Sequence, residues 1–304
     1  MAIISRCKYF RWFVSACIFA WIQLPRIFVG DPSWSQRKIG GSDCRAYVQD
    51  KLGPASMSSL EKLEVLREDT RIQRVVVIFR HGHKEIVEKN AFLPDEIFWR
   101  LQQEASLTEV GRRQAQELGK QLQTRGLDAA NVEWVELLSS EAPRCIDTML
   151  AVQEASNPGH PGHSVKTVKT EAAWMNATHR PREEKEAADE MRAIGWQSIM
   201  ERLSSGERIT GYLSLDEAVQ KLRNTSLTVK RRPNDPNVGA SLKPLEMILV
   251  CTHDVILYAL ATWFMEGMAP NKPDFLETAL WWQEGGQEHF YYGSQEFVKK
   301  CPSS

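Results

Sequence analysis

The chain has almost no excess of charge of either sign: 38 lysines and arginines stand against 39 aspartates and glutamates, for a formal net charge of −1. That balance gives no footing to a nucleic-acid surface, so any bound anion must be met by a local cluster of cations. Cys-x-x-Cys pairs and zinc-ligand spacings are absent, which removes a structural zinc site. No internal repeat or low-complexity tract is present, which argues against a solenoid or propeller. The most apolar run, residues 12–22, falls short of the about 20 residues that span a membrane. What remains is ordinary. The 304 residues, 42% hydrophobic and 25% charged, fit one large globular domain or two small ones.

Arg6, Lys8 and Arg11 precede the apolar run, which is the layout of a signal peptide. No Ala-x-Ala follows, and Phe28-Val29-Gly30 is a weak substitute. Segment 1–29 therefore reads as a signal peptide or as an uncleaved signal anchor lengthened by Ile27-Phe28-Val29; an amphipathic surface helix is a third reading. Either of the first two sends the remainder into the secretory pathway, as a secreted, lysosomal or membrane-anchored lumenal protein. The sequons at Asn176 and Asn224 agree with that address and mark expected glycosylation sites. Beyond the leader stand Cys44, Cys145, Cys251 and Cys301. An oxidising lumen would allow two bridges, but Cys145 and Cys251 adjoin candidate site residues and are expected as buried thiols.

Residues 30–56 mix Gly, Pro, Ser and charge and read as a tether. Residues 57–304 are expected to form one domain. A helix is expected over 57–70, and a strand over 75–79 from Val75-Val76-Val77-Ile78-Phe79. Leu93-Pro94-Asp95-Glu96 resembles a helix start. Thr108 is a candidate N-cap, followed by the stripe Val110, Ala115, Leu118 and Leu122, with Gly126 as C-cap. A second strand is expected over 132–138 and a helix over 145–154. From about 156 to 242 the strand–helix alternation fades into a mainly helical cap insertion. Within it, 171–176 is a strand or edge, 183–203 and 214–223 are amphipathic helices, and His160 and His163 fall in a Gly- and Pro-containing loop. A third strand is expected over 244–251, then a helix through Met265, then two edge strands at 279–282 and 290–292. Trp281 and Trp282 are expected to pack rather than to bind substrate.

Each of the three apolar strands ends in polar groups: Arg80-His81-Gly82-His83-Lys84, then Arg144, then His253-Asp254. As neighbours in one sheet, they would converge on the crevice at the carboxyl ends of the strands. Arginine forks match phosphate oxygens, an imidazole is a competent nucleophile, and a carboxylic acid can protonate a departing oxygen. His83 is read as a turn residue, with a contact to substrate as the alternative. A metal pair with His81 lacks an accompanying carboxylate pattern.

Arg80-His81-Gly82, Leu107-Thr108-x-x-Gly111-x-x-Gln114 with Leu118-Gly119, Ser139-Ser140-Glu141-x-x-Arg144 and His253-Asp254 together resemble the ordered motifs of the histidine acid phosphatases, branch 2 of the histidine phosphatase superfamily. The resemblance implies a mixed α/β sheet flanked by helices, with a helical cap. It implies that His81 is the nucleophile, that Arg80, Arg144 and His253 bind the phosphoryl group, and that Asp254 donates the proton. It implies no metal or other cofactor, and a phosphorylated small molecule or sugar as substrate. Lys84 stands where the family usually carries a second phosphate-binding arginine, and Ile86 where it carries proline. Lysine keeps the charge and loses the planar fork, so weaker phosphate binding is expected. The alternative reading is a pseudophosphatase that binds a phosphorylated ligand.

Overall fold

The alternate residues of one strand face two different cores, and this sets the architecture. In β1 (Arg74–Arg80), Val75, Val77 and Phe79 join one buried cluster while Val76 and Ile78 join another. A strand buried on both faces belongs in the middle of a sheet covered by helices on each side. The computed structural model describes residues 57–87, 95–157, 167–179, 183–227, 244–266 and 273–300. The leader and tether, with Cys44, His160, His163 and Cys301, lie outside these residues.

On the amino side of β1 lies α1 (Ser59–Glu68), opened by a capping box in which Ser58 and Glu61 satisfy each other's backbone. After it come α2 (Asp95–Glu104), α3 (Glu109–Thr124), β2 (Glu133–Ser139), α4 (Pro143–Ser156) and β3 (Val168–Thr170). Then follow α5 (Ala173–Asn176), α6 (Glu184–Ser204), α7 (Leu215–Ser226), β4 (Glu246–Thr252) and α8 (Asp254–Phe264). The chain closes with β5 (Thr278–Glu284), β6 (Gln287–Tyr292) and β7 (Gln295–Lys300). The strands form one sheet in the order β3-β2-β4-β1-β5-β6-β7. The first four run parallel, and β5 to β7 pair antiparallel.

The three strands expected to end in polar groups are adjacent and in step. Arg80 pairs with Thr252, and Ser139 with Cys251. At the opposite end Arg74 Nε donates to Glu246 Oε2 at 2.7 Å, across the same register. Helices α1, α3 and α4 cover one face, and α5, α7 and α8 the other. The insertion is mainly helical, as expected. Its α6 and α7 build a third cluster with α8 around Ile199, Met200, Tyr212 and Ala259. Among the described residues no helix is long and apolar enough to cross a membrane.

Several expectations need correction. Residues 171–176 are not a strand. Strand β3 lies just before them, and the chain then turns into α5 because Trp174 is drawn into the core beside Val250 and Leu257. Neither β5 nor β6 is an edge: β5 pairs with β1 and β6, β6 pairs with β5 and β7, and Trp281 and Trp282 are buried on opposite faces of β5. The edges are β3 and β7, and Lys299 and Glu296 of β7 carry the charge that blunts an exposed ladder. Helix α4 begins at Pro143, a residue suited to the first helical position, so Arg144 sits in a helical turn rather than in a loop.

The cap is tied to the sheet by a buried ion pair. Arg223 of α7 donates from Nε to Glu288 Oε1 at 2.6 Å and from Nη2 to Oε2 at 3.0 Å, and Glu288 is fully buried. Arg223→Ala would leave that carboxylate without its cation. A loss of about 3–5 kcal/mol in unfolding free energy is expected, read by urea titration. A loss below about 1 kcal/mol, the worth of an exposed pair, would show that the cap does not depend on it.

Candidate active site

His81 follows β1 directly, and its backbone N–H donates to the Thr252 carbonyl at 3.0 Å. Its ring is 3% exposed. Ring Nδ1 lies 2.7 Å from the Gly82 carbonyl oxygen. A carbonyl only accepts, so Nδ1 carries the hydrogen and Nε2 a lone pair. Into that lone pair points Nε–H of Arg144, at 3.2 Å.

Arg144 is held in place by carbonyls. Its Nη1 donates to Gln102 O at 3.1 Å and to Gln103 O at 2.8 Å, at the end of α2. Its Nη2 donates to His253 Nδ1 at 3.3 Å. That contact fixes the second imidazole in turn: Nδ1 accepts, so Nε2–H donates to Ser140 Oγ at 2.9 Å. The two histidine rings meet edge to face with centroids 5.3 Å apart. His253 is the N-cap of α8, and Asp254 is that helix's first residue.

Arg80 completes the cluster from the other side. It is 9% exposed. Its Nη1 donates to Pro273 O at 2.7 Å, and its Nη2 lies 3.3 Å from Asp254 Oδ2. Its Nε has no partner. The other oxygen of Asp254 accepts the Val255 N–H at 3.0 Å, and the side chain keeps 29% exposure. The structure therefore brings together Arg80, His81, Arg144, His253 and Asp254. Lys84 is directed to Gln102, whose side-chain oxygen accepts from its ammonium. The backbone carbonyl of the same glutamine accepts from Arg144, so Lys84 reaches the cluster through Gln102.

His83 is a turn residue, as expected. Its N–H donates to Gln114 Oε1 at 2.9 Å, and its Nδ1 donates to Thr108 Oγ1 at 2.9 Å. Thr108 also caps α3, accepting from Gly111 N–H at 3.1 Å. The glycines of the motif have a steric reason. A Cβ on Gly111 would stand 2.1 Å from the His83 carbonyl oxygen, and one on Gly82 would stand 2.6 Å from the Gly111 oxygen. The backbone after β1 thus rests directly on the start of α3. Among the described residues no group of three or more His, Cys, Asp or Glu is arranged to hold a metal ion. Cys145 and Cys251 are buried free thiols, as expected. Of the sequon residues, Asn224 is exposed on α7, whereas Asn176 is half-buried with its Oδ1 accepting from Lys221 at 3.2 Å.

Sequence reasoning missed Gln102, Gln103, Pro273 and Phe275. All four lie outside the motifs and act through backbone carbonyls or, for Phe275 beside Arg80, an aromatic face, which leave no residue-type signature.

Burial pushes the His81 pKa down to about 3, with the charges of His253 and Arg144 adding to the effect against an opposing contribution from Cys145. Burial likewise lowers Arg144 and raises Cys251 well above the ordinary thiol range. The folded-state value of His81 lies below the unfolded value near about 6.5. Between the two, the unfolded chain binds the extra proton, so this contribution to stability is full above about pH 6.5 and falls as pH falls toward 3. Wild type is expected to lose up to about 1.4 kcal/mol per pH unit more than His81→Gln across that window, by chemical unfolding at pH 7 and 5. Parallel losses would show that His81 takes up its proton without penalty.

A family model described as the histidine phosphatase superfamily (branch 1) matches residues 76–280, and the chain belongs to that superfamily. The motif reading pointed to branch 2; the matching model is that of branch 1. Comparison with curated proteins gave no match. Among solved structures, the chain is similar to YhfR of Bacillus stearothermophilus, with 18% identity over 73% of this chain and 97% of that one, at a TM-score of 0.42. It is similar to a mycobacterial glucosyl-3-phosphoglycerate phosphatase, at 15% identity over 76% and 99% of the two chains, TM-score 0.42. It is also similar to a phosphoglycerate mutase of Bacillus anthracis, at 13% identity over 76% and 94%, TM-score 0.40.

Proposed function

We propose, on the premise of its membership of the histidine phosphatase superfamily, that the protein hydrolyses phosphomonoesters through a phosphohistidine on His81, with Asp254 as proton donor. The observation that carries the reading is the tautomer of His81. Its Nδ1–H is spent on the Gly82 carbonyl, and its Nε2 lone pair faces the Arg144 guanidinium in a buried site. As a phosphoryl oxygen takes over the Arg144 Nε–H, Nε2 attacks phosphorus, the bond from phosphorus to the leaving oxygen breaks, and Asp254 gives that oxygen its proton. Water then attacks the phosphohistidine and gives a proton back to the Asp254 carboxylate; the P–N bond breaks, the lone pair is restored and inorganic phosphate leaves. Arg80, Arg144 and His253 hold the phosphoryl oxygens throughout.

The ion pair between Arg80 and Asp254 supports this division of roles. An arriving phosphoryl group competes with Asp254 for the guanidinium and frees the carboxyl to carry a proton. The low pKa of His81 supports work in the acid range, because the nucleophile stays neutral there. The His253-Asp254 pair supports the acid-phosphatase arrangement of branch 2. The basic-then-apolar leader and the exposed sequon at Asn224 support a place in the secretory pathway, secreted or anchored through segment 1–29. The substrate class is a phosphorylated small molecule or sugar.

Hydrolysis of an aryl phosphate at acid pH tests the reading. His81→Ala is expected to abolish it. Asp254→Asn is expected to lower turnover about 10²–10⁴-fold on a poor leaving group while phosphate still binds. Turnover equal to wild type in Asp254→Asn would remove that residue from the role. One observation favours a pseudophosphatase instead: Lys84, which lacks the planar fork of arginine, donates one of its N–H groups to Gln102. Phosphate binding by a wild-type protein that turns over no ester would select that alternative, and Lys84→Arg would then be expected to raise binding.

A further inference from the structure

We propose that Phe275 is a positioning residue that holds the Arg80 guanidinium ready for phosphate. The proposal rests on the phosphate-site reading above and goes beyond the motif residues that suggested it. The guanidinium carbon lies 4.2 Å from the centroid of the Phe275 ring. The same ring stands 5.9 Å from the His81 ring and 5.2 Å from the His83 ring, centroid to centroid. Phe275 thus borders the cation and the nucleophile together.

The loop that carries Phe275 grips Arg80 at three places. Pro273 accepts from Nη1 at 2.7 Å, the Phe275 ring covers the guanidinium, and Glu277 O accepts the Arg80 backbone N–H at 3.1 Å. The loop is itself held closed, with Asp274 N–H donating to Glu277 Oε2 at 2.7 Å. Leu276 sits at φ 58°, a conformation that costs a non-glycine residue and persists only where its surroundings impose it.

The physical argument is one of donors. Asp254 already pairs with one Nη of Arg80, and a second carboxylate would consume further N–H groups and cancel the charge that remains. An aromatic ring attracts the cation through its face and takes no donor, since all five N–H groups lie in the guanidinium plane. Arg80 keeps its unpartnered Nε–H, and binding no longer has to order a long side chain. Nothing in the residue spacing around 275 signals this, because the contact joins positions 195 apart in sequence, Arg80 and Phe275.

The test is calorimetric titration of the full chain with inorganic phosphate, which needs no turnover. Phe275→Ala is expected to weaken binding about tenfold, within the range of a desolvated cation–π contact. Phe275→Leu, which keeps apolar bulk and loses the π face, is expected to weaken it by several-fold, and Phe275→Trp to retain it. In an Arg80→Ala background Phe275→Ala is expected to change nothing further. Wild-type affinity in both Phe275→Ala and Phe275→Leu, or an equal loss with and without Arg80, would overturn the proposal. If wild type binds and hydrolyses phosphate esters while these variants are unaffected, the positioning role fails alone. If wild type binds no phosphate, the phosphate-site reading fails with it.

Discussion

One backbone hydrogen bond sets the geometry of the site: the N–H of His81 to the carbonyl of Thr252, at 3.0 Å. It carries the parallel ladder of β1 and β4 one residue past the end of β1. The imidazole of His81 and the strand that delivers His253 are thereby locked in step. A slip of a single residue would send Val75, Val77 and Phe79 to the opposite core and turn His81 away from its partners. The register is defended on both faces, because the two clusters divide the alternate residues of β1 between them. The site is therefore as rigid as the centre of the sheet.

The second constraint is steric. Gly82 and Gly111 let the backbone beyond His81 lie against the first turn of α3, and Thr108 and Gln114 fasten it there through His83. A motif that looks like a scatter of polar residues around glycines is thus one contact between a turn and a helix start. The third constraint is electrostatic. Arg80 and Arg144 are 9% and 7% exposed, and burying two like charges is costly. Carbonyls of Gln102, Gln103 and Pro273 supply hydrogen bonds without supplying negative charge. Among the described residues, Asp254 is a carboxylate that an ion pair places on the cluster. The positive field that remains is what a phosphoryl group would meet.

Much of this was legible in the residues. The three strands follow from buried β-branched runs that end abruptly in charge, and the convergence of Arg80, His81, Arg144, His253 and Asp254 was expected on the condition, met in the sheet, that those strands are neighbours. The cap at Thr108 follows from local hydrogen-bonding chemistry. Less was legible where one residue type serves two contexts. Trp281 and Trp282 read as an edge because nothing local distinguishes a strand paired on one side from one paired on both. Residues 171–176 read as extended because the pull of the core on Trp174 has no local signature. Lys84 read as a phosphate ligand from its position after the motif, and its hydrogen bond to Gln102 depends on where α2 packs.

The sequence by itself determined the central strands, the identity of the cluster and the sign of its charge, because hydrophobic periodicity and residue type act locally. Tertiary structure alone decided which tautomer each histidine holds, which carbonyls solvate the arginines, and that a phenylalanine 195 positions beyond Arg80 lies on its guanidinium. Those are properties of distance between groups remote in the chain. Hydrogen bonds to carbonyls and contacts with an aromatic face can be supplied by many residues, so only the packing reveals which ones supply them.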